Sequence, residues 1–340
     1  MSKNIVIFSD GTGQEGGKGP DTNVYKLFKA VENRTQNQIA FYDRGLGTGK
    51  RWLTGKISGA GISHNILECY QFIFDNFEAE DDIYLFGFSR GAATVRSLSG
   101  FIDTFGILPK SRPELIAQAY DIYKIGDVEK RLSKAQEFRD KHHTMWARIK
   151  FLGVWDTVAA LGIPFGPLDK IINSIPWFKH KFHNYGLSPS VTNAFHALSI
   201  DDERQTFHPT LWDEEIRDYQ TMEQIWFSGV HTDVGGGYEE TGLSDIALNW
   251  MIMKAADHGL KIYAEDIYKF EGNPDGAMHD SRGGTFSKFF RKKERVWPEK
   301  DGSGKLRRKP IVHPSVLLRT LDKKNGTTSK YAPWILKHIK

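Results

Sequence analysis

The chain has a single cysteine, Cys69, in 340 residues. An intrachain disulfide is therefore excluded, and nothing points to oxidative folding. Cys69 sits among helical apolar positions and reads as a buried, inert thiol. No window approaches 18 uninterrupted apolar residues, so no membrane-crossing helix is expected. The apolar run Ile5-Val6-Ile7-Phe8 is too short for a signal peptide and lacks a basic region and a cleavage site. A cytoplasmic location in the producing cell is expected, with export by a signal-peptide-independent machine as the alternative. Charge of one sign is also scarce. The net charge of +4 demands no nucleic-acid partner, and none is expected. The excess is local: ten Lys/Arg between Lys288 and Lys309 stand against Glu294, Glu299 and Asp301. That stretch reads as a solvated basic loop, with contact to an anionic membrane surface as the alternative.

Cofactor and metal signatures are missing. Thr12 and Arg44 stand where a Walker loop needs its first glycine, before Gly17-Lys18 and Gly49-Lys50. The turn Gly45-Leu46-Gly47-Thr48-Gly49 misses the dinucleotide spacing. No His/Cys/Asp set has zinc spacing. Asp10-Gly11-Thr12 matches part of the aspartate-phosphatase motif, but Phe8 occupies the position of its nucleophile. No cofactor is expected.

What is present is a strand-and-helix alternation. Asn4–Phe8, Gln38–Tyr42, Ile83–Phe86, Arg148–Trp155 and Gln224–Phe227 read as strands. Between the early ones, Val24, Leu27, Phe28 and Val31 form one helical stripe, and Ile62, Ile66, Cys69, Tyr70, Ile73 and Phe74 another. A further helix should follow Ser89, with Val95, Leu98 and Ile102 on one side. Asn193–Ile200 reads as helical, and Ser244 opens a helix that stops near Gly259. Crossovers of this length imply parallel pairing, hence an α/β chain with ligands bound beyond the carboxyl ends of the strands.

The organising stretch is Gly87-Phe88-Ser89-Arg90-Gly91, at the junction of a strand and a helix. A serine lifted out at so tight a corner is a candidate nucleophile. It needs a base, and the base needs an orienting acid. His231 follows a later strand, and Asp156 follows Trp155. The order Ser, Asp, His is that of α/β-hydrolases, and all three residues would stand on one rim of a parallel sheet. Asp201, Asp202 and Asp233 are the competing acids; Asp233, two residues from His231, reads better as a pin for the Gly235-Gly236-Gly237 turn. An oxyanion hole needs two backbone donors. The Arg90 N–H should give one and the Gly11/Thr12 backbone the other, with Asp10 orienting that loop.

Together, Asp10-Gly11-Thr12, Thr22-Asn23-Val24, Gly87–Ala92, Gly153–Val158 and Gly229–Tyr238 resemble a widespread bacterial and fungal α/β-hydrolase domain family. It includes type VI secretion phospholipase effectors. The likeness runs over about residues 4–260. It implies a hydrolytic triad at Ser89, Asp156 and His231, and phospholipid acyl esters as substrate. Asp201, Glu203 and Arg204 also resemble a family motif and read as a structural ion-pair network. The family's characterised effectors carry extra membrane-engaging segments, whereas here the residues outside the likeness are basic without clear amphipathicity.

The expected protein is thus a catalytic domain over 1–265, α/β-hydrolase-like, with insertions near 110–145 and 163–190. Residues 266–340 are expected to form a basic extension packed on the same domain. Trp177, Phe178, Phe182 and Tyr185 can line an acyl pocket or pack on the sheet. Lipid hydrolysis, small-ester hydrolysis and a silent binding module on the same fold remain the alternatives.

Overall fold

The computed structural model describes residues 2–11, 16–17, 19–45, 59–158, 186–267, 269–283, 290–321, 323–324, 327–328 and 331–339. Its centre is a seven-stranded, all-parallel sheet in the order β2-β1-β3-β4-β5-β6-β7. The strands are β1 (Asn4–Ser9), β2 (Gln38–Asp43), β3 (Asp82–Phe88), β4 (Ile149–Trp155), β5 (Val191–Ser199), β6 (Thr221–Phe227) and β7 (Ile311–Val312).

Period-2 alternation divides the core between the two faces of the sheet. Ile5, Ile7, Ile83 and Leu85 join α2 (Gly59–Asn76) and α3 (Arg90–Phe105) on one face. Val6, Phe8, Tyr84 and Phe86 join α1 (Asn23–Ala30) on the other. The expected stripe Ile62, Ile66, Cys69, Tyr70, Ile73, Phe74 is buried. On the α1 face a row of phenylalanines crosses four strands: Phe8–Phe86, Phe86–Phe151 and Phe151–Phe195, with centroids 5.1, 5.3 and 5.0 Å apart. Such pairs add about 0.5–1.5 kcal/mol each beyond burial. Residues 115–142 form α4 (Leu115–Tyr123) and α5 (Val128–His142), the polar helical excursion that the sequence suggests.

One expectation fails here. Asn193–Ile200 is not helical; Asn193–Ser199 belongs to β5, paired with β4 and β6, and Ile200 follows its end. A central strand buried on both faces need not alternate, and here the polar residues Asn193, His196 and Ser199 recur every third position, a spacing that imitates a helix.

Strand order reverses between β1 and β3, and α1 and α3, the helices that follow them, leave to opposite faces. A crevice opens at such a switch point, beyond the carboxyl ends of the strands. Ser89 and Asp10 both sit there. Past β6 come α6 (His231–Gly235) and α7 (Gly242–Asp257). The remaining chain runs through α8 (Ala264–Ile267) and β7 to α9 (Pro314–Thr320). This last part is built into the body: β7 extends the sheet beside β6, and Val316 and Ile335 form a small core with Leu198, Ile200 and Trp226. No helix among the described residues is long and apolar enough to cross a membrane.

Candidate active site

Ser89 caps the N-terminus of α3 with φ 57° and ψ −119°, a conformation L-residues avoid. Holding it costs about 1–3 kcal/mol, which the surrounding structure must impose. The two flanking glycines show how. A Cβ at Gly91 would lie 2.0 Å from the Ser9 carbonyl oxygen, and one at Gly87 would lie 2.6 Å from the Gly91 carbonyl oxygen. Only glycine lets α3 dock this closely on β1 and β3. The Ser89 N–H donates to the Trp155 carbonyl at 3.1 Å, so the corner is tied to the end of β4. Arg90 is the first helical residue, and an N–H at that position has no acceptor inside the helix.

Asp156 follows β4 immediately, has a positive φ of 38° and is fully buried. Its Oδ2 lies 2.6 Å from His231 Nδ1. His231, buried at the start of α6, is held between two rings, with the Phe88 centroid 4.6 Å away and the Phe207 centroid 5.1 Å away. Its own N–H donates to Asp202 Oδ2 at 3.2 Å. The sequence-expected acid and base are thus in contact, across 75 residues. Ser89 stands on the same rim, and Phe88 beside it packs on the imidazole. No hydrogen bond joins the Ser89 hydroxyl to His231 in this state; such contacts are often long until a substrate is bound.

Burial opposes ionisation of Asp156, but the charge and hydrogen bonds of Arg295 outweigh it, with His231 adding, and hold the carboxyl well below the usual range. Arg295 Nη1 donates to Asp156 Oδ1 at 2.7 Å and Nη2 to Oδ2 at 2.8 Å. For His231, burial lowers the affinity for a proton, against the raising influence of Asp156 and Asp202. Asp202 in turn is paired with Arg204 at 2.6 Å.

The expected oxyanion loop is differently engaged. The Gly11 N–H donates to Asp10 Oδ1 at 2.7 Å. Asp10 Oδ2 accepts from the Thr22 and Tyr42 hydroxyls, each at 2.6 Å. Asp10 thus takes up the Gly11 donor; Thr12 lies outside the described residues. Burial pushes the Asp10 carboxyl up to about 6, its three hydrogen bonds only partly opposing this. Asn23 explains the Thr-Asn-Val stretch, because its amide donates to Val234 and Ser244 carbonyls at 2.9 Å and ties α1 to the His231 turn. Asp233 pins that turn: its Oδ2 accepts the Val230 N–H at 2.9 Å, and its Oδ1 lies 2.6 Å from His279 Nδ1.

Other expectations are resolved or corrected. Of the acidic cluster after β5, Asp201 accepts from the Gly229 N–H at 2.7 Å and the Tyr331 hydroxyl at 2.8 Å. It is Asp202, not Asp201, that pairs with Arg204. The 288–309 stretch is not simply a solvated basic loop, since Arg295 is 2% exposed and bound to Asp156. Sequence reading missed Arg295 and Phe207 as site residues, and no local signal marks either. Trp177, Phe178, Phe182 and Tyr185, with the rest of the 163–185 part of the insertion, lie outside the described residues. Among the described residues, no three His, Cys, Asp or Glu side chains group as a metal site.

A parallel sheet with a strained serine corner at its switch point, and an acid–imidazole pair on the same rim, defines an α/β-hydrolase-like protein. The family model of the type VI secretion phospholipase effector Tle1-like catalytic domain matches residues 3–254, and the chain belongs to that family. It is also 31% identical over 186 residues to the uncharacterized protein YEL023C of Saccharomyces cerevisiae, covering 47% of this chain and 27% of that one. Among solved structures, an uncharacterized protein from Pseudomonas aeruginosa superposes with TM-score 0.53 at 16% identity, over 81% of this chain and 49% of that chain. This last likeness concerns the fold alone. The Tle1 effector solved bound to the VgrG spike gives TM-score 0.41 at 20% identity, over 71% of this chain and 52% of that one. The chain thus spans about a quarter to a half of the length of these relatives.

Proposed function

We propose that this chain is a serine ester hydrolase acting on phospholipid acyl esters, with Ser89 as nucleophile, His231 as general base and Asp156 as the orienting acid. The observation that carries the reading is the 2.6 Å contact between Asp156 Oδ2 and His231 Nδ1, two buried side chains on the rim that holds the strained Ser89. With Nδ1 on Asp156, the imidazole keeps Nε2 to accept the Ser89 proton. Ser89 Oγ attacks the ester carbonyl, and His231 passes the proton to the leaving alcohol. Water activated by the same imidazole then hydrolyses the acyl-enzyme.

The Arg90 N–H is the first oxyanion donor; of the Gly11/Thr12 backbone pinned by Asp10, the Gly11 N–H is held by that carboxylate, so the second donor falls to Thr12. Lipid as the substrate class is supported by family membership. By the same support, the protein is made in the cytoplasm and exported by a signal-peptide-independent secretion system to act on membrane lipid.

The test is labelling by a fluorophosphonate probe, followed by fatty-acid release from phospholipid liposomes. Wild type should label and release fatty acid, and Ser89→Ala should lose both, with a fall of about 10⁴-fold or more in turnover. Absence of labelling in wild type would sink the serine mechanism. Labelling with cleavage of short-chain soluble esters but not of liposomes would keep the mechanism and overturn the lipid assignment.

A further inference from the structure

Arg295 comes from beyond the residues matched by the family model, 139 positions after the carboxylate that it binds. It follows β6, α6 and α7 in the chain and belongs to no regular element, yet it is among the most deeply buried side chains of the protein. Both Nη nitrogens are fully committed, while Nε is buried without a partner. Nη1 donates to Asp156 Oδ1 at 2.7 Å and to the Ser199 carbonyl at 2.6 Å. Nη2 donates to Asp156 Oδ2 at 2.8 Å and to the Phe207 carbonyl at 2.6 Å. The two carbonyls fix the plane of the guanidinium, and the guanidinium fixes the plane of the carboxylate. Phe207, held in this way through its backbone, lays its ring against His231.

We infer that Arg295 is a positioning residue of the site: it presents Asp156 Oδ2 to His231 Nδ1 and offsets the carboxylate charge, so that the imidazole rests neutral and able to take a proton. The inference rests on the proposed roles of Ser89, His231 and Asp156.

A charge count around His231 gives the reason. The charged groups that face it are Asp156 at the end of β4, Asp202 and Arg204 after β5, and Arg295 through Asp156. Asp156 is paired with Arg295 and Asp202 with Arg204, so these four charges sum to zero while the imidazole is neutral; Asp201, buried nearby, accepts from the Gly229 N–H and the Tyr331 hydroxyl, and burial pushes its carboxyl up to about 6. A proton on His231 then leaves a net positive charge in a poorly solvated place. During reaction that charge forms together with the oxyanion, and the sum stays near zero. Without Arg295 the resting site would carry a net negative charge, which a proton on His231 would cancel. The imidazole would then hold its proton to higher pH and be blocked as a base there. A lysine would keep the charge but lose the two-pronged hold on both carboxylate oxygens.

The test is a titration of His231 by NMR of histidine-labelled protein, its signal assigned by its loss in His231→Gln. It runs beside the pH dependence of fluorophosphonate labelling, in full-length wild type, Arg295→Gln and Arg295→Lys. In Arg295→Gln the His231 midpoint should rise by about one pH unit or more, and the acid limb of labelling should move with it. On a soluble ester, kcat should fall by about tenfold or more while KM stays nearly unchanged. In Arg295→Lys the midpoint should stay in place while labelling slows. An unmoved midpoint in Arg295→Gln would overturn the inference. Should that variant fail to fold, Arg295→Lys decides alone: a displaced midpoint or a wild-type labelling rate would overturn it. If wild type does not label yet the Arg295-dependent shift appears, the hydrolase reading falls while the charge balance at His231 stands. Normal labelling with no shift removes only the role given to Arg295.

Discussion

Asp10 and Asp156 each follow a strand of the same parallel sheet, at the same rim, and neither is more than 1% exposed. Their surroundings push them in opposite directions. Asp10 receives three neutral donors, the Thr22 and Tyr42 hydroxyls and the Gly11 N–H, and burial still raises its carboxyl to about 6. Asp156 is buried as deeply but faces a guanidinium, which holds it ionised far below the normal range. Neutral hydrogen bonds soften the desolvation of a carboxylate, whereas a paired full charge reverses it. That difference suits different work. In the mechanism proposed above, Asp156 must remain an anion whenever His231 takes a proton, whereas Asp10 has only to hold a loop in place.

The sharpest way to break the comparison is Asp156→Asn. It removes the anion that orients His231 and leaves Arg295 facing a neutral amide. Turnover should fall by about 10⁴-fold, as it does when a triad acid becomes an amide. Breaking a buried ion pair should also cost about 3–5 kcal/mol in urea denaturation. Activity within tenfold of wild type would show that another acid serves His231.

Gly91→Ala attacks the joint between the two regions, since the new methyl would sit 2.0 Å from the Ser9 carbonyl oxygen. Pushing α3 off β1 should cost about 3 kcal/mol or more and displace Ser89. Circular dichroism melts beside fluorophosphonate labelling would read both effects.

The smallest effect is expected from Asp10→Asn, about 1–3 kcal/mol, through loss of an acceptor for two buried hydroxyls. Its pH dependence is the more telling part. A carboxyl raised from its ordinary value near 4 to about 6 on folding favours the folded state below pH 4, and that contribution is lost as pH rises through 6. The difference in stability between wild type and Asp10→Asn, measured by urea melts from pH 4 to 7, should therefore shrink as pH rises. Asp156, depressed on folding, contributes in the opposite sense, with stability present above pH 4 and lost on acidification. A wild-type advantage that instead grew with pH would mean that Asp10 is ionised across the whole range.

The β1–β3 region was the most legible in sequence. Ile5–Phe8 and Ile83–Phe86 are short apolar runs that end in glycine-bearing turns, and the structure places both strands as expected. The glycines of the serine corner could be anticipated because their requirement is local: a sharp turn followed directly by a helix. β5 reads as a helix in sequence because Asn193, His196 and Ser199 fall three apart and leave no period-2 alternation, although both faces of the strand are buried. Its assignment depends on β4 and β6 lying on either side. Arg295 reads in sequence as one of ten cations of a basic loop because it stands in a run of charged residues, and its neighbours Lys292, Lys293 and Glu294 are indeed exposed. Nothing nearby in the chain announces that the one among them will meet Asp156.

The serine corner, the chain order of Ser89, Asp156 and His231, and their place at strand ends follow from sequence alone, because they rest on short-range backbone geometry and a repeating crossover. The tertiary structure decided what surrounds them. It set Arg295 against Asp156, brought the Thr22 and Tyr42 hydroxyls onto Asp10, and placed Phe88 and Phe207 against His231. Those arrangements arise where segments far apart in the chain are buried together. Each polar group there must take whatever partner the packing brings, because water is no longer available to it.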